Sequence, residues 1–213
     1  MKLKSLYAKI FVLCFLTLVS PLLFASICTY QSWDWDTNLK KAVNVHKVVK
    51  DKNVLTKEEQ GVVSGCSVCE EDQVKIKIDS LPEFFVCKKV AAKITKAIKR
   101  TLNAKFPIFS IVGYRVGKSK GKINAQGLRT EFSNHSYGTA IDFNSEKNGL
   151  YDNCIIFSDS CFKLRGGDYF SDAEGAITKR TPLYIELLKV GFKWGGEIVG
   201  KQKDFMHFSL TGM

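Results

Sequence analysis

At 213 residues the chain is long enough for one domain with a substantial hydrophobic core and short for two of ordinary size. Its formal charge of +11 favours anionic partners, which outside the cytoplasm means an acidic wall polymer or a membrane surface as readily as nucleic acid. No nucleic-acid reading motif accompanies that charge and the lysines are spread along the chain, so a basic nucleic-acid-binding protein is set aside.

Residues 1–25 read as an export signal: Lys2, Lys4 and Lys9 make a basic start, residues 10–24 are almost wholly apolar, and Ala25 precedes the expected cut. Leu23, two positions before Ala25, is larger than such a site prefers, so an uncleaved anchor is the alternative. The apolar run of about fifteen residues falls short of the roughly twenty that a span needs. Ile27 stands where a lipid-attached cysteine at Cys28 would require a small residue. The expectation is a soluble exported chain, periplasmic or extracellular, with a net charge of +8 once the three signal lysines are gone.

Of the seven cysteines, Cys14 would leave with the signal. Cys28, Cys66, Cys69, Cys87, Cys154 and Cys161 remain, an even set for an oxidising compartment with fifteen complete pairings open. Cys154 and Cys161 are the simplest pair, closing a short polar loop. Cys66-Ser67-Val68-Cys69 has the spacing of a redox pair or half a zinc knuckle, but no second pair of that spacing exists, and structural disulfide bonding is expected.

Residues 26–73 form a mixed N-terminal strap packed on a main domain of residues 74–213. Trp33 and Trp35 lie in a polar stretch, and Thr56 caps a short helix with Glu58 and Glu59 in its first turn. His46 has no neighbouring motif and is an ordinary surface or packing histidine. Val74, Ile76 and Ile78 alternate with polar residues as in a strand with one apolar face. Residues 83–102 then carry Phe84, Cys87, Val90, Ala91, Ile94, Ala97, Ile98 and Leu102 at helical steps, with the lysines on the other face.

Residues 108–114 are a candidate central strand ending at Gly113-Tyr114-Arg115. The glycine- and lysine-rich residues 117–127 are expected to be a mobile, exposed loop. Residues 138–144 read as the next strand, with Ala140 and Asp142 on one face and Ile141 and Phe143 on the other. Asn148-Gly149 marks a turn before the cysteine loop. Thr181-Pro182 opens a second helix through Val190, threonine as cap and proline in the first turn, and Gly191 ends it. Residues 192–196 and 204–210 are sheet elements joined by a basic loop. The expected fold is α+β, two helices on an antiparallel sheet.

His135, Asp142 and His207 are the donor types of a hydrolytic zinc site, which uses three protein ligands and leaves a position for water. Asp204, three residues before His207, is a candidate for moving the water's proton, and Arg115 for stabilising charge on an attacked carbonyl oxygen. The alternative is coincidence, with Asp142 paired to a basic residue.

The ordered set Ser133-x-His135-x-x-Gly138-x-Ala140-x-Asp142 and Asp204-Phe205-Met206-His207-Phe208 resembles the zinc-dependent peptidoglycan peptidases, which include D-alanyl-D-alanine carboxypeptidases, vancomycin-resistance dipeptidases and phage L-alanyl-D-glutamate endolysins. The likeness extends to Gly113-Tyr114-Arg115, Ile141-Asp142-Phe143-Asn144 and Gly191-Phe192-Lys193-Trp194-Gly195-Gly196, over about residues 74 to 210. The resemblance implies an α+β zinc-peptidase fold of the hedgehog and D,D-peptidase kind, with Zn2+ on His135, Asp142 and His207. It places Asp204 as catalytic acid/base, Arg115 on the substrate or its oxyanion, and Ser133 in substrate binding.

Two features depart from that pattern: Ser209 stands where many relatives have a glutamate, and the segment between Arg115 and Ser133 lacks the serine and glutamine pattern of some carboxypeptidases. Gly138, Gly195 and Gly196 are assigned to tight turns or close packing, and Tyr137 and Trp194 to the core. The implied function is a D,D-carboxypeptidase on peptidoglycan stem peptides. An L-alanyl-D-glutamate endopeptidase and a catalytically silent wall-binding domain are the alternatives, and oligomeric state is left open.

Overall fold

The computed structural model describes residues 26–212, so the expected signal and Cys14 lie outside the described residues. In chain order the elements are β1 (Ile27–Asp36), β2 (Lys41–Asp51), the one-turn helix α1 (Lys57–Gln60), β3 (Gln73–Ile76), β4 (Phe84–Cys87), α2 (Lys88–Asn103), β5 (Ile111–Val112), β6 (Lys118–Ile123), β7 (Arg129–Phe132) and β8 (Ala140–Phe143). They continue with β9 (Leu150–Asp152), β10 (Phe162–Arg165), α3 (Pro182–Lys189), β11 (Lys193–Trp194), β12 (Lys203–Asp204) and β13 (His207–Ser209). The result is a sheet-rich α+β architecture, as expected. No described helix is long and apolar enough to cross a membrane.

Among the described residues four small sheets share the strands. One, in the order β11-β13-β8-β5, is antiparallel and carries the inner apolar residues: Ile141, Phe143 and Phe208 are fully buried, and the rings of Phe143 and Phe208 meet edge to face. Helices α2 and α3 pack on one another beside it, α2 burying Val90, Ile94, Ala97 and Ile98, and α3 burying Leu183 and Leu187. A second sheet, β2-β1-β6-β7, joins the N-terminal hairpin to the hairpin that precedes the His135 turn.

Several expectations are corrected. Residues 84–87 are strand, not helix: Phe84 and Val86 are buried while Phe85 is exposed, an alternation that pairs with β3, so the helix starts at Lys88. Residues 108–114 hold only a two-residue strand, at the edge of its sheet rather than its centre. Residues 117–127 are not a loose loop, because Lys118–Ile123 pairs with Arg129–Phe132 across a tight turn at Asn124, whose side chain accepts from the backbone of Gln126 and Leu128. Thr181 does not cap α3 with its side chain, since its hydroxyl donates to the Thr178 carbonyl. Thr56 does cap α1, in a reciprocal box with Glu59.

Among the described residues three disulfides brace the fold: Cys28–Cys69, Cys66–Cys87 and Cys154–Cys161. Cys66 and Cys69 thus bridge to two distant partners and not to each other, a structural role. Bridges in this number fit a chain that folds in an oxidising compartment.

Candidate metal centre

Asp142 and His207 are directly opposed residues of β8 and β13. Opposed residues of an antiparallel pair project from the same face, so strand register alone brings these two side chains together. His135 comes from the 3-10 turn Asn134–Tyr137 that leads into β8. Gly138 ends that turn at φ 63° with its N–H on the His135 carbonyl. A Cβ there would fall 2.4 Å from the Cys87 nitrogen, so close packing and backbone conformation both require glycine.

The three side chains converge and are buried. Asp142 Oδ1 lies 3.0 Å from His135 Nε2 and 2.9 Å from His207 Nδ1, and the two nitrogens are 3.2 Å apart. A tetrahedral zinc with bonds of about 2.0–2.1 Å sets its ligand atoms roughly 3.3–3.4 Å apart, close to this triangle. His135 Nδ1 donates to the Gly113 carbonyl at 2.8 Å, which leaves its Nε2 as a lone pair facing a carboxylate oxygen. Two facing lone pairs repel, and a cation between them removes the conflict. The residues fit a zinc ion.

The electrostatics agree with that reading. Burial pushes His135 down to about 4, keeping the imidazole neutral and able to ligate. Burial alone would raise Asp142, but the two imidazoles outweigh it and hold the carboxyl well below its ordinary range. Its second oxygen accepts from Arg115 Nη2 at 3.1 Å, while the Arg115 backbone N–H donates to the His135 carbonyl. Arg115 is therefore tied to one candidate ligand by its side chain and to another by its backbone, which orients both.

Asp204, at the end of β12, has an Oδ1 that is buried and makes no hydrogen bond among the described residues. Burial, with Asp142 adding to it, raises this carboxyl to about 6, while His207, Arg165 and Arg115 pull it back. Gly195 lets β12 and β13 close around it: a Cβ at Gly195 would lie 2.3 Å from the Asp204 carbonyl oxygen and 3.1 Å from His207 Cβ. Ser133 is buried, its hydroxyl has no hydrogen-bond partner among the described residues, and its N–H donates to the Gly117 carbonyl. His46, the remaining histidine of the described residues, is exposed on β2, away from the cluster.

Two basic residues near Asp204 escape sequence reasoning. Burial disfavours the charge of Lys120 on β6 while Asp204, Glu131 and Asp142 favour it, and Arg165 of β10 favours the charged form of Asp204. Lys120 is hidden when its segment is read as a loose loop. Arg165 carries no local signal, because its relation to Asp204 runs through strand pairing.

A family model described as D-alanyl-D-alanine carboxypeptidase matches residues 126–210, a span holding Ser133, His135, Asp142, Asp204 and His207 but not Arg115. The match supports a place among these peptidases, and a hydrolase. Comparisons with curated proteins and with solved structures give no match.

Proposed function

We propose that this chain is a zinc-dependent peptidoglycan peptidase, a D,D-carboxypeptidase that removes the terminal D-alanine of stem peptides outside the cytoplasm. The observation that carries this reading is the convergence of three buried donors, two imidazoles and a carboxylate, from a turn and two paired strands. Two nitrogens and one oxygen suit zinc better than magnesium or calcium, which prefer oxygen. When bound, the ion would acidify a water and polarise the scissile carbonyl.

The chain's own groups then divide the remaining tasks. Asp204, raised to about 6, sits near the pH at which a carboxyl both takes and returns a proton readily. It accepts the proton of the attacking water and delivers it to the departing amine. Arg115 holds Asp142 in place with one of its N–H groups and has others with which to meet charge growing on the carbonyl oxygen. The Ser133 hydroxyl, buried beside the His135 turn without a hydrogen-bond partner among the described residues, is the candidate to bond the peptide.

Digestion of defined muropeptides with and without a chelator tests the proposal. The expected product is a stem peptide shorter by one alanine, formed by the zinc-loaded protein and absent after chelation. Scission beside the sugar-linked alanine would assign the endopeptidase activity instead. A folded, zinc-loaded protein that cuts no wall peptide would overturn the hydrolase and leave a wall-binding domain.

A further inference from the structure

The Cys154–Cys161 loop and residues 168–172 line an open cavity of about 490 Å³ that shares no lining residue with the metal centre. That volume lies in the range of small-molecule sites. The floor is aromatic: Phe157 meets Tyr151, Tyr169 and Phe205 edge to face, with ring centres 5.0, 5.2 and 5.0 Å away. The Tyr151 hydroxyl accepts from the Tyr169 N–H and the Tyr169 hydroxyl donates to the Ile177 carbonyl, so the fold uses both polar ends and the cavity receives ring surface. Phe170 adds a ring that is 64% exposed, although phenylalanine is ordinarily a core residue. The rim differs in kind. Asp159 and Asp172 line the same cavity, are exposed, and form no hydrogen bond or ion pair through their side chains among the described residues. Lys163 of β10 pairs with Asp168 at 2.5 Å and ties one wall to the other.

We propose that this cavity binds a neutral sugar ring of the glycan strand, an N-acetylated hexosamine, and so keeps the stem peptide carried by the strand beside the metal centre. A pyranose presents an apolar face of C–H groups bordered by hydroxyls. The Phe157 and Phe170 rings cover the face, and the Asp159 and Asp172 carboxylates accept from the hydroxyls in short charge-assisted bonds. A wholly apolar ligand would strip water from those carboxylates and return nothing to them. An anion would meet three carboxylates, Asp168 included, against one lysine. Tyr169 stacks on Phe205 at 3.7 Å, and Phe205 lies between Asp204 and His207, so the cavity floor is continuous with the segment that bears the site. The choice of sugar rests on the peptidoglycan-peptidase reading, and the inference adds a site for the part of the substrate that is not peptide.

The test uses the zinc-loaded full chain, the tetramer of N-acetylglucosamine as probe, and one stem pentapeptide supplied free and attached to its disaccharide. Calorimetric titration is expected to show that the tetramer binds. The sugar-bearing substrate should be favoured over the free peptide in kcat/KM by at least about 10-fold, through KM. Phe170→Ala and Asp172→Asn should each weaken tetramer binding, and shrink that preference, by about 5- to 10-fold, with zinc content and the circular dichroism spectrum as in wild type. No binding of the tetramer, or folded variants that bind it as wild type does, would overturn the sugar site while cleavage of the free peptide upholds the peptidase. Tetramer binding that the two variants lose, in a protein that cuts neither substrate, would support the sugar site and overturn the peptidase. Binding of the free peptide that is lost on acetylating its side-chain amine, with no binding of the tetramer, would give the cavity to a cation and overturn the proposal.

Discussion

Two buried groups of the site titrate in opposite senses. His135 is lowered from 6.5 to about 4 and Asp204 raised from 3.8 to about 6, both chiefly by burial. Between those values the unfolded chain binds a proton on His135 that the folded chain does not, so this residue makes stability rise with pH. At Asp204 the folded chain keeps a proton that the unfolded chain has released, so this residue makes stability fall as pH rises from about 4 to about 6. In the wild type the two effects oppose each other. Asp204→Asn removes the second, and the metal-free variant should gain on metal-free wild type from almost nothing at pH 4 to about 3 kcal/mol at pH 7, read from urea midpoints. In the zinc-loaded protein the same change should cut kcat at least ~100-fold with zinc stoichiometry intact, because the proton carrier is gone. An Asp204→Asn variant with wild-type rate would remove Asp204 from the chemistry. Asp142→Asn acts differently, weakening the metal site and leaving Arg115 without its carboxylate. It should lower zinc affinity by more than about 100-fold in a competition titration and destabilise the metal-free fold by about 3 kcal/mol.

At the scale of elements, the site depends on the pairing of β8 with β13. A slip of one residue would send His207 to the opposite face and pull Phe208 out of the core, so the alternation that buries Ile141, Phe143 and Phe208 also aims the candidate ligands. This is why the centre is legible in the sequence: Asp142 sits in an alternating run, and the histidines lie beside or within such runs. The partner strand is less legible, since β13 is only three residues long and its register with β8 is a long-range fact. The start of α2 is ambiguous because Phe84 and Cys87 satisfy helical spacing while Phe84 and Val86 satisfy strand alternation, and pairing with β3 decides between them. Lys120 escapes notice because glycines and lysines suggest a loop, whereas β6 is held by pairing to β1 and β7. Gly195 marks the junction most exposed to a single change. Gly195→Ala would press a methyl against the Asp204 carbonyl and His207 Cβ, forcing β12 away from β13. The expected cost is about 1–3 kcal/mol in urea denaturation, with activity falling further than stability because Asp204 moves with its strand. Equal activity in the alanine variant would show that Asp204 placement tolerates this shift.

Across the whole molecule, the bridges differ in what they hold. Cys28–Cys69 spans 41 residues and ties β1 to the turn before β3, whereas Cys154–Cys161 spans 7 and closes a local loop. If a bridge acts by restricting the unfolded chain, its effect grows with the loop closed: about 4 kcal/mol for the first and about 2 kcal/mol for the second. The first also anchors the hairpin β1–β2, whose pairing with β6 supports the strand bearing Lys120. Replacing Cys28 and Cys69 by serine should therefore lower the denaturation midpoint more than replacing Cys154 and Cys161. It should leave zinc affinity near wild type, because His135, Asp142 and His207 belong to a different sheet and turn. Urea melts and a zinc titration on the two double variants separate these effects. If the Cys28/Cys69 variant loses zinc as readily as it loses stability, the N-terminal sheet and the metal centre fold as one cooperative unit.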